Sequence, residues 1–117
     1  MAAGVLVVLV TCPTRRHATR VARAVIAKRV AACVNILPGL ESVFWWAGKV
    51  DSARETLLLI KTTASCFGLL RDTVLSLHPY ELPEIVALPI KKAHSPYLQW
   101  IYDSVTPASK SQKRSLP

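Results

Sequence analysis

Long hydrophobic runs are missing from this sequence. The longest uncharged apolar stretch, Val5 to Val10, is six residues, far short of the ~20 that a membrane-spanning helix needs. That excludes a helical span. The same stretch lacks a basic flank before it and a small-residue cleavage site after it, so it does not read as a secretory signal. Cysteine is sparse. Cys12, Cys33 and Cys66 are odd in number, widely spaced and contain no C-x-x-C pair. This excludes a disulfide framework and gives no structural zinc motif. Reduced thiols in the cytoplasm are expected. Catalytic signatures are absent too. There is no G-x-S-x-G, P-loop, H-E-x-x-H or dinucleotide fingerprint, and no enzymatic activity is expected.

Acid is in short supply. Seven Asp and Glu face fifteen Lys and Arg, a formal net charge of +8. Such an excess first suggests an anionic partner. Its placement weakens that idea. Arg15, Arg16, Arg20, Arg23, Lys28 and Arg29 crowd into residues 15–29 with no acid among them, and Lys110, Lys113 and Arg114 occupy an acid-free tail. The remainder carries a balance of −1. The tryptophans lie away from both basic segments, whereas stacking platforms for nucleic acid interleave the two. Nucleic acid is therefore not an expected partner.

What is present is a core. Half of the 117 residues are hydrophobic, enough for one self-sufficient domain of this size. We place the domain at residues 1–105 and a basic, disordered tail at 106–117. Val5 to Val10 is a β-branched run expected as a central strand. Thr14 is a suitable N-cap for a helix over 15–30. Its apolar positions Ala18, Val21, Ala22, Val25, Ile26 and Val30 recur at helical spacing, with Arg16, Arg20 and Arg23 opposite. Residues 31–36 form a second strand, and Pro38-Gly39 marks a turn or bulge before extended residues 40–46. Ala47-Gly48-Lys49 is a tight connection to a returning strand over 56–61.

Thr63 or Ser65 caps a second helix, whose stripe is Phe67, Leu70, Val74 and Leu77. A proline-rich loop over 78–84 leads to a strand over 85–90, with Pro89 suggesting an edge or bulge. Ser95 caps a short third helix with Pro96 at its first position. The order β-α-β-β-α-β-α is the α+β, ferredoxin-like split βαβ arrangement: one antiparallel sheet with two helices on one face. The middle strands are too apolar and aromatic for a face left in water, which predicts self-association.

Several segments carry a resemblance. Val10-Thr-Cys-Pro13, Arg29 to Gly39, Ser42 to Lys49, Leu59 to Thr62, His78-Pro-Tyr-Glu-Leu-Pro-Glu84, Ala87-Leu-Pro89 and Tyr97-Leu-Gln-Trp100 resemble the CutA family of divalent-cation tolerance proteins, vertebrate homologues included. The order and spacing match from about Val5 to Val105. The resemblance implies a ferredoxin-like protomer in a PII-like homotrimer with clefts between subunits. It also implies metal tolerance, copper binding and the response to metal ions. The alternative it leaves open is a PII-like small-molecule sensor, or a protein-interaction and anchoring module linked in vertebrates to acetylcholinesterase. The chain departs from the family at points that matter. The Cys used by copper-binding bacterial members falls on Val10, their His pair is reduced to Leu77-His78, and Arg15 and Arg16 stand where acids are usual.

Cys12 and His78 are the metal candidates, since thiolate and imidazole suit a soft copper ion. They read equally as a buried thiol and a His at a helix C-terminus. His17 and His94 sit in exposed contexts. Lys61 and Glu84, with Tyr97 and Trp100, either line an inter-subunit cleft or hold the trimer together. Lys61 and Glu84 could pair only across a subunit boundary or around a curled sheet. Trp45, Trp46 and Tyr80 are candidates for the trimer interface. Asp51, Glu55, Asp72 and Asp103 read as surface residues.

Overall fold

The structure is a computed structural model and describes residues 4–106. All but the first residue of the expected basic tail lies outside them. The elements are β1 (Val5–Cys12), α1 (Arg15–Ala27), β2 (Cys33–Trp46), β3 (Lys49–Thr63), α2 (Phe67–Leu77), β4 (Ile85–Pro89) and α3 (Ser95–Ser104), with a 3₁₀ turn over Ala64–Cys66. The sheet order is β2-β3-β1-β4, antiparallel throughout. This is the split βαβ order that the pattern predicts.

The core lies between the sheet and α1 and α2. Val8, Val10 and Cys12 on β1 pair with Ile60, Leu58 and Thr56 on β3, and all of them are buried. Strand alternation sends these side chains to one face. There they meet Ala18, Val21 and Val25 of α1 and Leu70 and Val74 of α2.

Helix α1 starts as expected, with Thr14 Oγ1 accepting the His17 backbone N–H at 3.1 Å. It ends at Ala27, earlier than periodicity suggests. Arg29 takes φ 58°, the Arg29 N–H donates to Ile26 O, and the Val30 N–H donates to Val25 O. That is a Schellman closure without its usual glycine, so no residue type announced it. The third helix also shifts by one residue. His94 is its N-cap and Ser95 is already helical, with the His94 carbonyl accepting from Tyr97 and Leu98 N–H groups. Neither Thr63 nor Ser65 caps α2 directly, because the 3₁₀ turn intervenes.

Strand β3 is much longer than the expected 56–61. Between Leu37 and Leu40 the β2–β3 register slips by one residue, and Gly39 sits at φ 85°. The Pro38-Gly39 signal is thus a bulge, which bends and twists the strands beyond it. Past the bulge β2 and β3 run on as a two-stranded arm to a tight turn. Ala47 and Gly48 both have positive φ, the type I′ pattern of two-residue hairpins. The molecule measures 53 × 30 × 23 Å.

The other face of the sheet is only partly covered. Val7, Leu9, Leu57, Leu59, Val86 and Leu88 share it by register, and Val86 and Leu88 are exposed. Helix α3 packs on β1 and β3 and brings Tyr97 beside Cys33. It therefore covers the Cys33–Lys61 end and leaves the rest open. Pro89 is tolerated because β4 is an edge.

Candidate functional site

Apart from the arm tryptophans, the expected site residues fall into two groups at opposite ends of the sheet, with Cys12 on its core face. The first group gathers where β1 ends, against the 78–84 loop. Its hub is Glu55, a residue that the sequence placed on the surface. Glu55 is only 8% exposed, and its Oε2 accepts the Tyr80 O–H at 2.6 Å. Register puts Glu55 on the face of Leu57, opposite Leu40. The Tyr80 loop then closes over it from 25 residues away. Alternation along β3 was the available signal, but a polar strand segment hides it.

The Thr11 hydroxyl donates to Glu84 Oε1 at 3.5 Å. His78 is fixed at both ring nitrogens. Nε2 lies 2.7 Å from Thr11 O, and Nδ1 accepts the Tyr80 N–H at 3.2 Å. This pattern assigns the proton to Nε2. The His78 and Tyr80 rings lie 4.8 Å apart and tilted.

Cys12 is fully buried beside this cluster. Burial, and then the Glu55 carboxylate, push its thiol from 9.0 up to about 11. Desolvation and the bond to Glu55 also push the Tyr80 hydroxyl up. Burial and the neighbouring Cys33 do the same to Tyr97. All three groups keep their proton in the fold at pH values where the unfolded chain has lost it. The Cys12 contribution is complete below pH 9 and is lost as pH rises through about 11. Cys12 therefore makes the urea midpoint fall between pH 9 and about pH 11, and Cys12→Ala makes that fall shallower. A midpoint independent of pH over this window would contradict the geometry.

These residues do not fit a copper centre as they stand. Both nitrogens of His78 are engaged, and the Cys12 thiol is fully buried in the apolar core, so neither side chain presents an open donor to an entering copper ion. Among the described residues no three His, Cys, Asp or Glu side chains group as a metal site.

The second group lies at the other end. The Lys61 ammonium donates to Asn35 Oδ1 and lies 3.9 Å from Cys33 Sγ. Tyr97 approaches the same Cys33 and stacks on Trp100, with centroids 5.4 Å apart. Within one protomer Lys61 and Glu84 do not meet. Lys61 pairs with Val7, while Glu84 contacts Thr11. About four strand residues separate those points, about 13 Å.

Trp45 and Trp46 stand on the arm, 74% and 46% exposed. A cavity of 600 Å³ opens between arm and loop, walled by Phe44, Trp45 and Trp46 on one side and Tyr80 and Leu82 on the other. His17, expected in an exposed setting, is half-buried and bonds the Thr14 hydroxyl at 2.8 Å.

Comparison with known proteins gives these arrangements a family. The model of the CutA1 divalent ion tolerance protein matches residues 6–104. Human protein CutA is 48% identical over 92 residues, covering 79% of this chain and 51% of the human one. The rice protein CutA 1, chloroplastic, is 46% identical over 99 residues, covering 85% and 56%. The chain thus spans little more than half of either relative. The divalent cation tolerance protein structure from Thermus thermophilus superposes with a TM-score of 0.86 at 46% identity, covering 87% of this chain and 99% of that one. With that agreement in sequence and fold, the chain belongs to the CutA1 divalent ion tolerance family.

Proposed function

We propose that three copies of this chain close into a ring that acts, without catalysis, in divalent-cation tolerance and the response to metal ions. One observation carries the assembly. Large apolar side chains stand uncovered on the arm (Val43, Trp45, Val50) and on the open face (Val86, Leu88), next to the two free sheet edges β2 and β4. A protomer in water seldom leaves this many large apolar side chains exposed, and free edges invite pairing. Trp45, Trp46 and Tyr80 then belong to the interface.

In a head-to-tail ring each boundary joins two different surfaces. The Lys61 end of one copy can thereby face the Glu84 end of the next, with Tyr97 and Trp100 beside it. The separation of the two groups within one protomer supports this reading. The arm-side cavity favours a second reading, in which the same boundary also admits a small molecule or a partner protein. Three free thiols support the cytoplasm, a reducing compartment.

Copper bound by Cys12 and His78 is not part of this reading, because both His78 nitrogens are hydrogen-bonded and the Cys12 thiol is buried in the core. Equilibrium dialysis against Cu(I) and Cu(II) tests it. The expected result is equal copper per protomer for wild type, Cys12→Ala and His78→Ala. A stoichiometric loss in both variants would restore the pair as the metal site.

A further inference from the structure

Helix α1 carries its cations on the outside. Arg16, Arg20 and Arg23 fall at i, i+4 and i+7, one helical face, opposite the buried Ala18, Val21, Ala22 and Val25. With Arg15, Lys28 and Arg29 they are all exposed. None of the six is paired with an acid among the described residues; the one salt bridge found among them joins Arg71 and Asp72.

The helix gains no stability from this arrangement. No acid stands in its first turn, where Arg15 and Arg16 oppose the helix dipole. Arg16 and Arg20 are like charges four residues apart and repel each other. A second basic segment starts from the same place. The Thr106 N–H donates to Arg29 O at 2.9 Å, so the acid-free segment that contains Lys110, Lys113 and Arg114 begins where the basic helix ends. The stripe points away from the sheet, whereas the surface proposed for the ring lies on the open face, the sheet edges and the arm. The stripe is therefore available in the ring as in the single copy.

Its match is a polyanion of continuous charge. Four arginines lie between Arg15 and Arg23, about 12 Å at the helical rise, or one charge every ~3–4 Å. Phosphates advance about 3.4 Å apiece along each strand of duplex DNA. Guanidinium groups take phosphate oxygens two at a time. Residues 15–29 include no Phe, Tyr or Trp, and so lack the platform on which unpaired bases stack. That lack argues against a single strand and does not bear on a duplex, whose bases stack on each other. A bilayer fits less well. The apolar stripe of α1 is in the core and Ile26 is its one exposed large hydrophobic residue, which leaves no apolar face to insert.

We propose that the outer face of α1 binds the phosphate backbone of duplex nucleic acid without reading its sequence, with Arg15, Arg16, Arg20 and Arg23 on the phosphates. This binding is separate from metal tolerance and from the ring.

The test is fluorescence anisotropy of a labelled DNA duplex of about 25 base pairs, titrated with the full chain between about 0.05 and 0.2 M salt. Saturable binding is expected, equal for two duplexes of unrelated sequence and weaker for a single strand. Four phosphate contacts predict a slope of log affinity against log salt of about −3.6, a loss of roughly 150-fold over that range. Arg16→Gln with Arg20→Gln removes two exposed cations at matched helix propensity, and should bring the slope to about −1.8. Lys91→Gln with Lys92→Gln removes the same charge from another exposed segment and should leave the slope unchanged. The proposal is overturned if duplex binding does not saturate at the lowest salt, if the two double variants weaken it equally, or if the single strand binds more tightly. It is equally overturned if phosphatidylserine vesicles or poly-glutamate, at equal charge, bind through the same arginines more tightly than the duplex does.

Discussion

Trp45→Glu is expected to break the assembled protein into single protomers without unfolding them. Trp45 is 74% exposed in the protomer, so the fold loses little when it changes. At an interface the same side chain is a large anchor, and tryptophans at such positions cost about 2–4 kcal/mol or more when removed. A ring contains the substitution three times. The glutamate adds a buried, unpaired charge at each boundary. The combined loss is roughly 6–12 kcal/mol on that scale, enough to abolish the trimer at micromolar protein. Sedimentation velocity reads the mass and circular dichroism reads the fold. An assembled Trp45→Glu protein would remove the arm from the interface.

Leu58→Ala is expected to lower the unfolding free energy by about 2–5 kcal/mol, the usual range for a leucine truncated in a tight core. Leu58 is fully buried on the central strand pair, opposite Val10 and between the helices and β2. The loss is a large share of the ~5–15 kcal/mol that holds a domain of this kind. Urea unfolding followed by circular dichroism measures it. The neighbouring Leu57 points to the open face and is only partly buried, so Leu57→Ala should cost the protomer clearly less. Equal losses at the two positions would mean that the two faces are not distinguished as described.

The parts of the fold that pattern revealed are those with one buried face. Val5 to Val10, the stripe of α1 and the run from Leu57 to Ile60 each carry a period set by burial. The element order followed from them, and Pro38-Gly39 marked the bulge. The arm did not show itself fully. Lys49 to Arg54 is mostly solvent-facing, Val50 included, so burial imposes no alternation there, and β3 reads too short. The early end of α1 was hidden because an arginine, not a glycine, takes the left-handed position.

The site was half legible for a similar reason. Cys12, His78, Tyr80 and Glu84 stand out in the segments that resemble the family. Glu55 does not, because its burial comes from a loop 25 residues distant, and local sequence carries no trace of that contact. Lys61 and Glu84 stand out as charges in need of partners. Topology alone already pointed to a subunit boundary or a curled sheet between them; what sequence could not supply was their measured separation along β1.

Native mass measurement of the full chain at micromolar concentration tests the account most directly. Three copies of a 12.8 kDa chain should appear as one species near 38 kDa. A single species at 12.8 kDa would contradict it, and would leave the exposed arm and the two free edges without the partner that the proposal gives them.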